Sequence, residues 1–329
     1  MFKSILSTQM KSFLELRATV VAERTYLLDV QVLKHLDCFL VESDYHSAEL
    51  SEDILNAWIN SLSGSSKTIH NKVGTVRNFV MYLNELGNMS FVPYSPKVKS
   101  DYMPYIYSDS ELELIFYHAD NLPINPTKRS NPYLAAMMPM ILRILYSCGT
   151  RLGETMALQR KDIDFKARTI FLRNTKFSKE RLIPIHDTLI DIMEKYCLLL
   201  GIMNNPDAFL FPGAAQGHHF SKRQVLTWFH RILQLADIAQ TSDGQHERGA
   251  CLHSFRHVFV LKSMQQLEQT GHPVDMNDLL LPTYLGHKCL LDTDRYMRFA
   301  GVQIPETLTA FEAFTNGLIP KVEVPQYEE

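Results

Sequence analysis

The sequence lacks any apolar run near the ~20 residues that a membrane-spanning helix needs. Its N-terminus, MFKSILSTQMKSFLEL, interrupts its apolar residues with Ser, Thr, Gln and Lys too early for a signal peptide. The expectation is a cytoplasmic protein with no membrane partner. Cysteine is scarce: Cys38, Cys148, Cys197, Cys251 and Cys289 are scattered, odd in number and without a C-x-x-C pair, so neither a disulfide framework nor a zinc knuckle is indicated. No fixed-period repeat or low-complexity tract is present. A net charge of −3 excludes a protein whose whole surface coats nucleic acid. The stretches that carry polar chemistry also lack paired carboxylates, the ligands a hard cation such as Mg²⁺ requires. No metal and no cofactor are expected.

What is there is a globular composition, 46% hydrophobic and 21% charged over 329 residues. That length exceeds a single ordinary core, which rarely grows beyond about 250 to 300 residues, so two domains are expected. Residues 1–90 read as a helical bundle: Val32-Leu33, Leu36 and Phe39-Leu40, then Ile54-Leu55, Trp58-Ile59 and Leu62, then Ile69, Val73, Val76, Phe79-Val80 and Leu83 recur at helical spacing. Ser51 and the run SGSS (63–66) look like N-caps. The last of these helices carries Lys67, Lys72 and Arg77, a candidate face for phosphates or a solvated one. Residues 91–107 continue a proline-bearing stretch from 88 and read as an extended linker. SDSE (108–111) is a capping box opening the second domain, 108–329.

In that domain NPYLAAMMPMILRILYSCG (131–149) is a core helix expected to kink or restart at Pro139 and to end at Gly149. The segment 163–185 alternates apolar and polar residues around NTKFSKER, a β-hairpin with a basic tip. Helices are expected over 188–200, 221–239, 253–269 and 276–285. Between Arg151 and Arg181 nine basic residues stand against four acidic ones, a place where a polyanion could dock.

Four stretches combine cationic donors and imidazoles with one tyrosine: CGTRLGE, TKFSKER, HSFRH, and LGH followed by RY. Guanidinium forks such as Arg151 and Arg256 can hold the non-bridging oxygens of a phosphodiester under attack. A tyrosine flanked by Arg295 and Arg298, Tyr296, becomes a usable nucleophile if cations stabilise its phenolate and a base takes its proton. Each residue also has a plain structural reading. Arg151 could clamp a carbonyl, His253 and His257 could be core or solvated histidines, and Tyr296 could be a packed aromatic. Cys148 with Arg151 fails as a cysteine-phosphatase loop, which needs five intervening residues where this chain has two.

In order and spacing the four stretches resemble the tyrosine recombinases, the integrase family of site-specific DNA recombinases. CGTRLGETMALQRKDIDF (148–165) is similar to the family's first arginine box, and KERLIPI closes a β-hairpin box. HSFRH (253–257) matches the His-x-x-Arg box, and LGH (285–287) with Tyr296 nine residues after His287 matches the last. The resemblance implies Arg151, Lys176, His253, Arg256, His287 and nucleophile Tyr296 as catalytic residues and Glu154 as their support; Lys67, Lys72, Arg77, Lys179 and Arg181 are the candidate DNA contacts, from the basic helix face and the basic hairpin. It implies a mainly α fold with a small β-sheet: a helical, SAM-like core-binding domain and a mixed α/β catalytic domain forming a C-shaped clamp. Its further implications are a 3′-phosphotyrosyl intermediate, a Holliday junction, and a homotetramer on paired sites in double-stranded DNA. A tail over 305–329 that docks on a neighbour, accessory recombination proteins, and association with the nucleoid follow as well. The spacer KCLLDTD is less polar than the family's usual run. A type IB topoisomerase-like enzyme and a catalytically silent DNA-binding regulator are the alternatives.

Overall fold

Apolar spacing between Ser7 and Glu85 folds as four helices: α1 (Ser7–Val20), α2 (Glu23–Glu42), α3 (Glu52–Ser61) and α4 (Ser66–Glu85). They belong to the first of two units of a computed structural model, Met1–Asp101 and Tyr102–Glu329. The structure describes residues 2–98, 104–123, 132–173, 180–214, 217–239, 249–269 and 281–286. Ser51 and Ser65 act as the N-caps that their positions suggest, accepting the amide hydrogens of Ile54 (3.4 Å) and Thr68 (3.2 Å). The inward stripes are Leu33, Leu36 and Leu40 on α2, Leu55 and Trp58 on α3, and Val73, Val76, Phe79, Val80 and Leu83 on α4, all fully buried. Phe13 of α1 closes the core edge-on to Phe79 at 5.5 Å.

Two buried carboxylates fix how these helices meet. Asp29 of α2 accepts from Arg17 Nε of α1 (2.9 Å) and from the Thr75 hydroxyl of α4 (2.9 Å). Asp37 accepts the backbone amides of Lys3 and Ser4, both at 2.8 Å. Buried charge is tolerated only where such donors replace water. Residues 88–98 are neither helix nor strand, but the beginning of the expected linker is tied to the bundle. Phe91 N–H donates to the Leu50 carbonyl (2.8 Å), Arg77 Nη1 to the Pro93 carbonyl (2.8 Å), and His70 Nδ1 contacts the Pro96 carbonyl (2.8 Å).

The second unit begins with α5 (Asp109–Asp120), whose Ser108/Glu111 capping box is complete. Then comes α6 (Leu134–Cys148), which runs unbroken through Pro139 rather than restarting there. Pro139 lies in the second turn, where its ring removes the amide that would donate to the Ala135 carbonyl, and the helix continues past that lost bond. After α7 (Leu152–Ala157) and a 3₁₀ turn at Arg160–Asp162, three antiparallel strands follow: β1 (Ile163–Asp164), β2 (Thr169–Leu172) and β3 (Arg181–Pro184). The hairpin register pairs Ile170 with Ile183 and Leu172 with Arg181. Ile170, Leu172 and Ile183 turn inward, so Arg181 lies at the hairpin's distal end. The strand β1 adds a third member to the expected hairpin. The chain turns from β1 to β2 through Arg168, left-handed at φ 55°.

Helices α8 (Asp187–Leu199), α9 (Lys222–Leu235) and α10 (Ser254–Gln269) follow, with a further helical turn at 281–285, among the described residues of the unit. α9 stops short of the expected Ala239 because Asp237 adopts a left-handed φ of 54°. α6 is the central element, with ten buried residues, and it packs against α5, α8 and α10. The result is a mainly helical chain with one small sheet. No described helix is long and apolar enough to cross a membrane.

Gly149 ends α6 at φ 55°, and a Cβ there would lie 2.4 Å from Phe259 Cδ1 of α10. Gly149→Ala therefore combines a left-handed penalty of about 1–2 kcal/mol with a collision. The expected loss of unfolding free energy is about 2–4 kcal/mol. Chemical denaturation measures it, and a loss below about 0.5 kcal/mol, the ordinary surface value, would refute the crowding.

Candidate functional site

The turn capped by Gly149 delivers Arg151 to the N-cap of α7 in an extended conformation, φ −76° and ψ 144°. Thr150, buried within the turn, shares a hydrogen bond with the Thr155 hydroxyl at 2.7 Å. Glu154, one turn along, then faces back towards Arg151. Its Oε2 accepts the Arg151 amide (3.0 Å) and its Oε1 accepts Arg151 Nη1 (2.8 Å). The carboxylate is 5% exposed, whereas the Arg151 side chain is 28% exposed. One end of this pair is therefore anchored in the protein and the other reaches solvent.

A second arginine meets the same carboxylate. Arg181 of β3 donates from Nη2 to Glu154 Oε2 (2.8 Å) and from Nη1 to Oε1 (3.3 Å), while its Nε donates to the Tyr284 carbonyl (2.8 Å). Arg256 of α10, 1% exposed, donates from Nη1 to the Gly149 carbonyl (2.6 Å) and from Nη2 to the Leu285 carbonyl (2.9 Å). The consecutive carbonyls of Tyr284 and Leu285 thus each take an arginine from a different element. Gly286, at φ 66°, follows directly, and a Cβ there would lie 3.0 Å from Arg181 Nη1. Four stretches far apart in sequence, around residues 149–154, 181, 256 and 284–286, meet at one place.

The electrostatics follow from that meeting. Burial by itself would raise the Glu154 carboxyl, but hydrogen bonds from Arg181 and Arg151 together with the Arg181 charge outweigh it and hold the group below its usual value. Burial pushes the Cys148 thiol up to about 12. Burial likewise raises the Tyr284 phenol, with the neighbouring Cys148 adding to it. Neither is a thiolate or phenolate near neutrality. Tyr284 stacks on Phe259 at 5.4 Å as a packing aromatic.

His253 is exposed just before α10, with its ring edge-on to that of buried His257 at 5.0 Å and 85°. Lys176, Lys179, His287 and Tyr296 lie outside the described residues. Of the expected DNA-contacting cations, Lys67 is exposed. Lys72 Nζ donates to the Ser63 carbonyl (3.2 Å) and lines a groove of about 700 Å³ with Gln31, His35, Asn71, Thr75 and Asn78. Arg77 is engaged by Pro93, and Arg181 departs from expectation: it is 10% exposed and committed to Glu154 and Tyr284 rather than presented to solvent. One cation escaped the sequence reading. Lys222, first residue of α9, is exposed, and a Cβ on Gly153 would meet its Nζ at 3.0 Å, so the ammonium lies over the first turn of α7. No sequence motif announces that proximity.

The family model described as the phage integrase family matches residues 109–300. The chain is similar to tyrosine recombinase XerC of Oceanobacillus iheyensis, 24% identical over 92% of this chain and 94% of that protein. It is also similar to XerC of Chromobacterium violaceum, 27% identical over 82% of each. Among solved structures, a lambda integrase dimer bound to a COC′ core site is similar in fold, with a TM-score of 0.67 and 14% identity over 90% of this chain and 78% of that one. A lambda integrase tetramer bound to a Holliday junction has a TM-score of 0.63 and 14% identity over 86% and 74%.

Glu154→Gln leaves two guanidinium groups without their carboxylate, and breaking a buried pair from one side costs about 3–5 kcal/mol. Because the folded carboxyl is held below its unfolded value, its stabilisation is present above the unfolded carboxylate range and is lost as pH falls through the lower folded value. Thermal unfolding of both proteins from pH 7 to pH 3 should show the gap closing towards acid. A gap independent of pH would contradict the assignment.

Proposed function

The chain belongs to the phage integrase family and is a site-specific tyrosine recombinase that cuts and rejoins DNA; from that premise we propose that Tyr296 is its nucleophile. Its phenolic oxygen attacks the scissile phosphorus, the bond to the 5′-oxygen breaks, and a 3′-phosphotyrosyl link and a free 5′-hydroxyl result. The phosphodiester bond energy is kept in the new ester, so rejoining needs no nucleotide. Arg151 and Arg256 hold the non-bridging oxygens as charge accumulates on them. His287 donates a further hydrogen bond, Lys176 protonates the departing 5′-oxygen, and His253 takes the tyrosine proton.

One observation supports this reading above the rest: Arg151 and Arg256 meet at the Gly149–Glu154 turn, beside the peptide that leads into His287. Among the described residues the Glu154 carboxylate is shared by two guanidinium groups, Arg151 and Arg181, and cationic donors oriented in this way suit an anion that gains charge during reaction. On this reading double-stranded DNA is the partner, and a homotetramer on paired sites passes strands through a Holliday junction, as the lambda integrase tetramer's association with such a junction supports. The groove beside Lys72 is a second DNA-contacting surface in this scheme. A type IB topoisomerase is not favoured by the comparisons.

Incubation with nicked duplexes in EDTA, followed by a denaturing gel, should give a covalent protein–DNA adduct that Tyr296→Phe abolishes. An adduct that survives in Tyr296→Phe sinks the nucleophile assignment. Lys222 is proposed to meet a phosphate next to Arg151. Lys222→Ala should weaken binding evenly across sequences and reduce the slope of log affinity against log salt by about 1. An unchanged slope in a filter-binding series would remove Lys222 from the interface.

A further inference from the structure

We propose that Arg181 is a positioning residue that couples the β-hairpin to both arms of the active site. This rests on the site assignment above and replaces the expectation that Arg181 contacts DNA. The side chain leaves the distal end of β3, where it pairs with Leu172, and uses all three guanidinium nitrogens inside the protein. Two reach the Glu154 carboxylate, at 2.8 and 3.3 Å, and the third reaches the Tyr284 carbonyl at 2.8 Å. Glu154 in turn fixes Arg151, and Tyr284 lies three residues before His287. A displacement of β3 is therefore felt by Arg151 through one bond and by the turn ahead of His287 through another. Gly286 fits the same device, since a Cβ at that position would press on the Arg181 guanidinium.

Only a planar fork serves these two acceptors together. A lysine ammonium offers one compact donor centre and can satisfy the carboxylate or the carbonyl, with neither geometry fixed. Arg181→Lys should therefore keep the charge and lose the coupling, and Arg181→Met should lose both. Among the described residues, the ionisable groups nearest Glu154 are Arg151 beside it at the start of α7, Arg181 from β3, Arg256 of α10 at the Gly149 carbonyl, and Lys222 of α9 over Gly153. With Arg181 gone, the Glu154 carboxyl takes up a proton at higher pH and releases Arg151 there.

The experiment measures the rate of covalent adduct formation at saturating DNA from pH 5 to pH 8, with DNA affinity and its salt dependence alongside. The variants compared with the unaltered protein are Arg181→Met and Arg181→Lys. The expected result is a rate lowered at least tenfold in Arg181→Met with affinity within twofold, and an acid limb displaced to higher pH. Arg181→Lys should recover part of the rate and most of the acid limb. Weakened affinity with a shallower salt slope and an unchanged saturating rate would identify Arg181 as a phosphate contact and overturn the proposal. A loss uniform at every pH would overturn it as well.

Should Arg181→Met fail to fold, Arg181→Lys carries the comparison alone. Thermal unfolding of the DNA-free proteins over pH 7 to 4 gives a readout that needs no reaction. The acid-dependent part of stability should shrink in the variant, and equal acid dependence would refute the coupling. If the unaltered protein forms no adduct, the active-site assignment fails, and the unfolding series still decides the role of Arg181.

Discussion

A nearly buried carboxylate shared by two arginines is the contact on which the catalytic unit's geometry turns. Taking Glu154 out of water carries a penalty of several kcal/mol unless donors replace the lost hydration. Arg151 and Arg181 supply them from opposite directions, with the Arg151 backbone amide adding a third donor group. The arrangement is specific because guanidinium groups are planar: the positions of the two carboxylate oxygens determine where each fork lies. Arg151 is consequently held by its inner edge while its outer part reaches solvent, which is the orientation a phosphate-binding arginine requires.

Backbone carbonyls also anchor the site's arginines. Arg256 is bound by the carbonyls of Gly149 and Leu285, and Arg181 by that of Tyr284. A carbonyl orients a cation without neutralising it, so these contacts fix Arg256 and Arg181 in direction and leave their charge in place. Both flanking turns depend on glycine for this: Gly149 and Gly286 have left-handed φ values of 55° and 66°. Side chains there would collide with Phe259 in the first case and press on the Arg181 guanidinium in the second. Local backbone freedom thus underlies the electrostatics.

Much of the fold is legible in the chain because it depends on neighbours in sequence. The apolar stripes of α2, α3 and α4, the caps at Ser51, Ser65 and Ser108, the helix end at Gly149 and the β2–β3 hairpin all follow from spacing and local hydrogen bonding. What spacing misses depends on tertiary partners. Pro139 was expected to kink or restart α6, yet one helix runs from Leu134 to Cys148 with the proline inside it, one of its ten buried residues. The start of the 91–107 linker is bound to Leu50 and to Arg77, residues with no sequence signal of such roles. For the site, the motifs grouped Arg151, Glu154, His253 and Arg256, and the fold brings Arg151, Glu154 and Arg256 to one turn. No pattern along one strand could show that Arg181 would turn away from solvent to a carboxylate 27 residues earlier and a carbonyl 103 residues later.

The same distinction resolves how a chain of net charge −3 can act on DNA. The excess of basic residues between Arg151 and Arg181 invites a docking surface, but the fold uses most of it internally. Lys161 pairs with Asp207, Arg168 with Asp187 and Arg173 with Asp162. Arg160 donates to the Ile163 carbonyl and lies over the Phe165 ring at 4.5 Å. Counting charges along the sequence therefore overstates the field that segment projects. The cationic character that matters is instead concentrated at Arg151, Arg181 and Arg256, where low exposure weakens solvent screening and makes each charge count for more than a surface lysine would. On the proposed mechanism the scissile phosphate is met by the oriented guanidinium groups of Arg151 and Arg256, while Arg181 is held behind them by Glu154 and Tyr284.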